Sequence, residues 1–330
     1  MAGGVTPELL RVMSDDGSVA FDDALLLEPR ARVALLRELV RARRVDERLL
    51  ALQRQGRIGF HGSTFGQEAV PVAAAFALAP DDWVFPALRE GAIMLVRGFP
   101  LVAYFAQAFG SARDVQKGRQ MPSHPASRRV KQVSWSSSIG SQLPHAVGMA
   151  LAAARAGTTA IAMAFMGEGA TSTPDFHAAL NLAGVFHAPV VFVCQNNQYA
   201  LSLAAERQTH SASFAIKARA YGFRGRRVDG NDALAVELAL RQACESARSG
   251  LGPTLVECVT YRRGPHSSSD DPSRYRSAAE EDTWALRDPI ALLRRHLASL
   301  GLFAPDDEAR LLADIDAEIE QALAVAAADP

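Results

Sequence analysis

The feature that most constrains this chain is an apolar run, Ile161 to Met166, followed at once by Gly167-Glu168-Gly169-Ala170. A second apolar run, Val190-Val191-Phe192-Val193-Cys194, leads into Asn196-Asn197. Between them, Thr173-Pro174-Asp175 offers a capping hydroxyl, a proline at the first helical position and an acid in the first turn, which predicts a helix start. Apolar strands alternating with helices are the pattern of a parallel sheet with crossover helices. Ligands bind such sheets at the carboxyl edge of the strands, and Glu168 and Asn197, 29 positions apart, are expected side by side there. A carboxylate and an amide can ligate a hard divalent ion through oxygen and leave positions for phosphate oxygens. The glycines let the backbone approach a diphosphate, and Ala170 onward offers amide hydrogens near a helix start.

From Pro29 to Gln55, Leu35, Leu36, Leu39, Leu49 and Leu50 recur near helical spacing, and Gly56 closes the helix. Its many arginines read as a solvated face or a subunit contact. Phe60 to Pro80 reads as a loop entering a tightly packed helix, and Ser141 to Ala156 as a second helix rich in small residues. The helix opened at Thr173 is expected to end near Gly184, and Thr254 to Thr260 is a further strand. Arg262 to Asp282 is a polar stretch; Asp288-Pro289 starts a helix stopped by Gly301, and Asp306 to Ala327 reads as a terminal amphipathic helix. Residues 1 to 28 are expected to be extended or mobile. No repeat or low-complexity linker divides the chain. The expectation is one α/β domain over 1–330: an N-terminal helical arm (1–55), a core with a parallel sheet flanked by helices (56–287) and C-terminal helices (288–330).

With 35 basic against 36 acidic residues and a net charge of −1, the composition gives no sign of a nucleic-acid or anionic-membrane surface. Met1-Ala2-Gly3-Gly4 shows no secretory pattern, and no apolar run approaches the ~20 residues of a spanning helix. Cys194, Cys244 and Cys258 lack metal-ligand spacing and fit reduced thiols, so a cytoplasmic location is expected. The Gly-x-Gly-x-x-Gly fingerprint of a nicotinamide-binding domain is missing after an early strand.

The strand–GEG–helix–strand–NN unit resembles the thiamin diphosphate and magnesium motif of the thiamin-dependent enzymes. Further matching segments run from about residue 40 to 300: Gln55 to Phe60, Arg89-Glu90-Gly91, Lys117-Gly118-Arg119-Gln120-Met121-Pro122, Arg227 to Asp232, and His266-Ser267-Ser268-Ser269-Asp270-Asp271. The KGRQMP segment, the glutamate in the metal motif and the HSSSDD loop resemble the alpha subunit of the branched-chain, 2-oxoisovalerate type of 2-oxo acid dehydrogenase more than the pyruvate type.

That resemblance implies a thiamin-diphosphate-binding fold and a set of roles. Glu168, Asn197 and the backbone carbonyl of Tyr199 would hold Mg2+. Arg89 would grip the diphosphate, with Gly169 and Ala170 supplying backbone contacts, and Ser137 and Ile139 would touch the cofactor's middle. His266 would contact the diphosphate and stabilise the substrate-derived intermediate. Ser136, Ser141 and Gln142 loosely match a K+ site. The implied reaction is oxidative decarboxylation of a 2-oxo acid with acyl transfer to a lipoyl-bearing transacylase. The glutamate that activates the cofactor belongs to a beta subunit in such enzymes, so the implied assembly is two alpha plus two beta chains.

Two residues depart from the pattern. Leu88 replaces the usual tyrosine before the diphosphate arginine, and Gln195 stands where many branched-chain relatives carry arginine. Both are expected to weaken the grip on the diphosphate. Arg89 with Glu90 reads alternatively as a surface ion pair, and His266 as a solvated loop histidine. His61 and His124 are open candidates. Ser267 aligns with a serine phosphorylated in mitochondrial relatives, and an unmodified serine is expected here. The alternatives are a pyruvate or acetoin dehydrogenase alpha subunit, and a non-catalytic paralogue acting as a scaffold.

Overall fold

The computed structural model describes residues 6–267 and 269–328, so the Met1 to Gly4 stretch and Ser268 of the serine run lie outside the described residues. The strands are β1 (Leu9–Leu10), β2 (Trp83–Phe85), β3 (Ala162–Gly167), β4 (Val190–Asn196), β5 (Tyr199–Ala200), β6 (Leu203–Ala204), β7 (Arg224–Asp229) and β8 (Thr254–Val259). The helices are α1 (Pro29–Arg54), α2 (Ala69–Ala77), α3 (Gly91–Val96), α4 (Leu101–Phe109), α5 (Gln142–Arg155), α6 (Pro174–Phe186), α7 (Ala233–Arg248), α8 (Ala278–Ala285), α9 (Pro289–Ser299) and α10 (Pro305–Ala328).

Six strands form one sheet in the order β1-β7-β8-β4-β3-β2, every neighbouring pair parallel, as the alternation of apolar runs and helices predicts. Successive side chains of a strand point to opposite faces. Accordingly Met163 and Phe165 of β3 join one core with α1, α2, α7 and α10, while Ala162, Ala164 and Met166 join another with α5 and α6. Covering both faces explains why β3 and β4 read as unbroken apolar runs. Because β2, β3, β4 and β8 are parallel and adjacent, the loops after all four emerge at one edge.

Three local expectations are corrected. The helix after Thr173 runs to Phe186 and turns off at His187, which adopts φ 49°. Gly184 lies inside it for a packing reason: a Cβ there would stand 2.2 Å from the carbonyl oxygen of Tyr221. The first 28 residues are not simply extended: Leu9–Leu10 pairs with Arg227 and Val228 at the sheet edge, and Met13 is buried. Arg30, Arg37 and Arg54 of α1 are exposed as expected, but Arg41 binds Glu318 at 2.6 Å, Arg44 binds Asp316 at 2.8 Å and Arg48 binds Glu320, which ties α1 to α10. Arg43 reaches inward to the buried Glu68 and to Asp288, both at 2.7 Å.

Asp232 connects the edge strand to the core. One oxygen accepts the backbone N–H groups of Val12 (2.7 Å) and Met13 (2.6 Å), and the other caps α7 through Ala235 N at 3.0 Å. Burial lifts its carboxyl from 3.8 to about 6. Across that window the folded chain holds a proton that the unfolded chain has released, so this group's contribution to stability falls as pH rises. Asp232→Ala orphans three donors and is expected to cost about 2–4 kcal/mol. Urea unfolding would measure the loss, and repeating it from pH 4 to 6 would show this group's share of the pH slope removed.

Among the described residues no helix is long and apolar enough to cross a membrane, and all three cysteines are free and buried.

Candidate active site

The loops after β2, β3, β4 and β8 surround a cavity of about 550 Å³. Its walls include Arg89, Ser137, Ile139, Glu168, Gly169, Ala170, Asn197, Tyr199 and His266, so residues scattered over 178 positions (Arg89 through His266) come together. The register explains the central pair. Gly167 at the end of β3 lies beside Gln195 of β4, which brings Glu168 and Asn197 out of adjacent strand ends. Glu168 Oε2 accepts the backbone N–H of Asn197 at 3.3 Å. Gly169 must lack a side chain, because a Cβ would come within 2.7 Å of the Ala200 Cβ.

Glu168 is 1% exposed, and its Oε1 is buried with no hydrogen-bond partner. Burial pushes its carboxyl up to about 7. A carboxylate with an orphaned oxygen facing a cavity is incomplete without a cation or proton. Asn197 Nδ2 donates to Gln67 at 2.9 Å, and its Oδ1 accepts Tyr199 N at 3.2 Å, which aims the amide oxygen along the turn. The Tyr199 carbonyl accepts from Arg262 Nη1 at 2.9 Å. Among the described residues no three His, Cys, Asp or Glu side chains converge, so a cation held here would draw on amide and backbone oxygens beside the single carboxylate.

Two arginines supply the opposite charge. Arg89 and Arg262 are 6% and 1% exposed, and among the described residues neither stands within ion-pair distance of a carboxylate. Arg89 donates to the carbonyls of Ser63 and, at 2.7 Å, His266; Arg262 also donates to the Leu201 carbonyl at 2.7 Å and the Tyr275 hydroxyl at 3.0 Å. Burial, and then Arg262, lowers the Arg89 guanidinium from 12.5 to about 10. Buried cations whose hydrogen-bond acceptors are all neutral oxygens favour an anion in the space they share. The surface ion-pair reading of Arg89 and Glu90 is therefore corrected: both are buried, and Glu90 accepts the Arg89 backbone N–H.

His266 is held by its backbone, whose N–H donates to Asp270 at 2.7 Å, and its Nδ1 is buried without a partner. Burial, with Arg89 and Arg262 nearby, lowers it to about 4, so the imidazole is neutral near pH 7. Gln195 lines the cavity, and its amide donates to Glu90, whose carboxyl burial pushes up to about 7. An arginine at 195 would form an ion pair with Glu90, whereas glutamine gives it a single neutral N–H donor.

The remaining candidates separate. His124 lines the cavity and stacks on Trp135 with centroids 3.8 Å apart. His61 sits behind it, bonded to Asp46 at 2.8 Å. Asp46 also binds Ser63 Oγ at 2.7 Å, fixing the residue whose carbonyl receives Arg89. The 136–142 loop is bonded locally: Ser141 to the Ser138 carbonyl at 2.9 Å, and Gln142 to the Phe165 carbonyl at 2.7 Å. Gln67, Arg262, Glu90 and Asp46 went unmarked in the sequence reading as parts of this site.

Such a sheet edge, with an orphaned carboxylate oxygen and two buried arginines around one cavity, is chemically suited to a cation beside a phosphate-bearing ligand in an α/β enzyme. Residues 37–330 match the family model described as the dehydrogenase E1 component. The alpha 1 subunit of mitochondrial 2-oxoisovalerate dehydrogenase from Arabidopsis thaliana is 40% identical over 318 residues, 96% of this chain and 67% of that protein. The 2-oxoisovalerate dehydrogenase alpha subunit of Pseudomonas aeruginosa is 39% identical over 94% of this chain and 76% of its own length. The pyruvate dehydrogenase E1 component alpha subunit of Bacillus subtilis is 38% identical over 97% of this chain and 84% of its own length. The chain belongs to the dehydrogenase E1 component family, whose cofactor is thiamin diphosphate.

Proposed function

We propose that this chain is the alpha subunit of a decarboxylating enzyme that acts on branched-chain 2-oxo acids and passes the acyl group to a lipoyl-bearing transacylase. The observation that carries this reading is the buried Glu168 Oε1 without a partner, in the same cavity as two arginines without a carboxylate. In this reading Glu168, Asn197 and the Tyr199 carbonyl would hold Mg2+. Arg89 and the backbone at Gly169 and Ala170 hold the diphosphate, with Arg262 nearby. Ser137 and Ile139 support the cofactor's middle. Neutral His266 offers a nitrogen to the substrate without adding charge. The bound cofactor supplies an electron sink for the carbanion left by decarboxylation. The overall change releases carbon dioxide, reduces the lipoyl disulfide and leaves the acyl group on one of its sulfurs.

Assembled with a beta chain, two of each, and supplied with thiamin diphosphate and Mg2+, the chain is expected to turn over branched 2-oxo acids faster than pyruvate. A preference for pyruvate would overturn the substrate class and leave the site roles standing. That second reading has one observation in its favour: Gln195, turned toward Glu90, departs from the arginine of the branched-chain pattern. A folded complex that binds no cofactor would instead favour the scaffold reading.

Leu88 gives a graded test. It packs on Gly62, where an added Cβ would sit 3.0 Å from the leucine, and it lines the cavity without a polar group. Leu88→Tyr restores a phenolic donor and is expected to tighten thiamin diphosphate binding by about 1 kcal/mol, roughly fivefold. Titration of the assembled complex would detect it, and unchanged affinity would mean another donor already serves that phosphate.

A further inference from the structure

Two buried atoms of opposite need border Asn197. Glu168 Oε1 has no donor, and Gln67 Nε2 has no acceptor among the described residues. Glu168 meets Asn197 through its backbone N–H at 3.3 Å, and Gln67 meets it through its side-chain amide at 2.9 Å. Both residues are 1% exposed and line the cavity. Which end of the Gln67 amide is left over follows from its neighbour. The Tyr199 N–H bonds only to an oxygen, so Asn197 presents Oδ1 to it at 3.2 Å and Nδ2 to Gln67. Gln67 must answer that donor with Oε1, and the two hydrogens on its Nε2 stay unused.

The backbone around Gln67 is pinned. Its own N–H donates to the Thr64 carbonyl at 2.8 Å, the Gly66 N–H donates to Glu68 at 3.0 Å, and the Gly66 carbonyl accepts Thr260 Oγ1 at 3.2 Å. The Phe65 carbonyl accepts the Arg263 N–H at 3.0 Å. Gly66 adopts φ 90° and lies so close to the chain after β8 that a Cβ would stand 2.6 Å from the Tyr261 carbonyl oxygen. The amide is therefore held in place by bonds that do not involve its side chain.

A buried amide nitrogen with unused hydrogens costs free energy until an acceptor reaches it. Glu168 Oε1 is not that acceptor, because it is itself unpartnered. A cation alone satisfies the oxygen, and an anion alone satisfies the nitrogen. A metal-bound diphosphate satisfies both at once. We propose that Gln67 is a direct donor to the cofactor, holding Asn197 with Oε1 while Nε2 donates to a phosphoryl oxygen. One side chain then links the metal ligand to the grip on the diphosphate. The proposal rests on the family's cofactor entering this cavity and is independent of which 2-oxo acid reacts.

Gln67→Glu keeps an oxygen for Asn197 and nearly the same volume but supplies no hydrogen. In the assembled alpha–beta complex with Mg2+ it is expected to weaken thiamin diphosphate and inorganic pyrophosphate alike, each at least about tenfold, read by calorimetric titration without substrate. A side chain that only orients Asn197 would leave both Kd values unchanged, and that result overturns the proposal. So does a loss confined to thiamin diphosphate, which would place the contact on the thiamin rings. The added charge also repels at a distance, so a structure of the wild-type complex with Mg2+ and thiamin diphosphate supplies the second reading. Nε2 is expected within about 3.2 Å of a phosphoryl oxygen, and a separation beyond about 4 Å overturns the proposal whatever the variant does. A wild-type complex that binds neither ligand sinks the reading of the whole site, whereas wild-type binding with an indifferent variant sinks only the role of Gln67.

Discussion

Glu168→Ala is expected to leave the cofactor-free chain at least as stable as the parent while weakening cofactor and Mg2+ binding by more than about a hundredfold. Both halves follow from one oxygen. Glu168 Oε1 is buried and unpartnered, so the free chain bears the cost of an unsatisfied polar atom, on the order of 1–3 kcal/mol. Alanine removes that atom, and because the side chain borders an open cavity, no sealed void replaces it. Thermal unfolding of the free chain and titration of the assembled complex with thiamin diphosphate and Mg2+ would measure the two effects separately. A free chain that loses stability would mean Glu168 is a structural acid, and unaltered binding would remove it from the metal site. Residues selected for function often carry this signature of local instability.

The second large effect concerns the chain by itself. Purified alone it is expected to show at most about 10⁻² to 10⁻⁴ of the activity of the assembled enzyme, the range spanned by losing a general acid or base. The carboxylates on the cavity wall are Glu90 and Glu168. Glu90 is occupied by Gln195 and by the Arg89 backbone, and Glu168 is assigned to the cation, so neither is free to activate a bound cofactor. The rim also exposes Ile139 (62%), Leu201 (59%) and Met121 (58%), apolar side chains that a beta chain would cover. Turnover before and after adding the beta chain decides it: full activity from the lone chain would mean that a carboxylate of its own serves.

What could be read from the sequence was local. The β3–α6–β4 unit announced itself because the strand runs, the Thr173-Pro174 start and the Glu168 and Asn197 turns lie within a few dozen residues. The parts that escaped notice depend on distant chain. Gln67 orients Asn197 from 130 positions away, and Arg89 meets the carbonyl of His266 across 177. Nothing around Gln67 or Arg262 sets them apart from ordinary polar residues until the sheet brings its ends together. Gly184 is a smaller case: a glycine near a helix end suggests a stop, but here it makes room for the Tyr221 backbone, and α6 runs two residues further to Phe186. Likewise Arg41 and Arg44 read as solvated in the sequence because their partners sit on the last helix.

The edge strand has a consequence for how the chain matures. Leu9 and Leu10 leave the ribosome well before their partners: the β7 strand they pair with and the Asp232 carboxylate that holds Val12 and Met13 lie about 220 residues later. At synthesis rates of about 5–20 residues per second, the N-terminal segment waits roughly 10–45 s for its place. Closing so long a loop is also the slowest kind of contact to form. Strand β1 is thus made long before it can dock, and until then β7 presents an open edge to its surroundings.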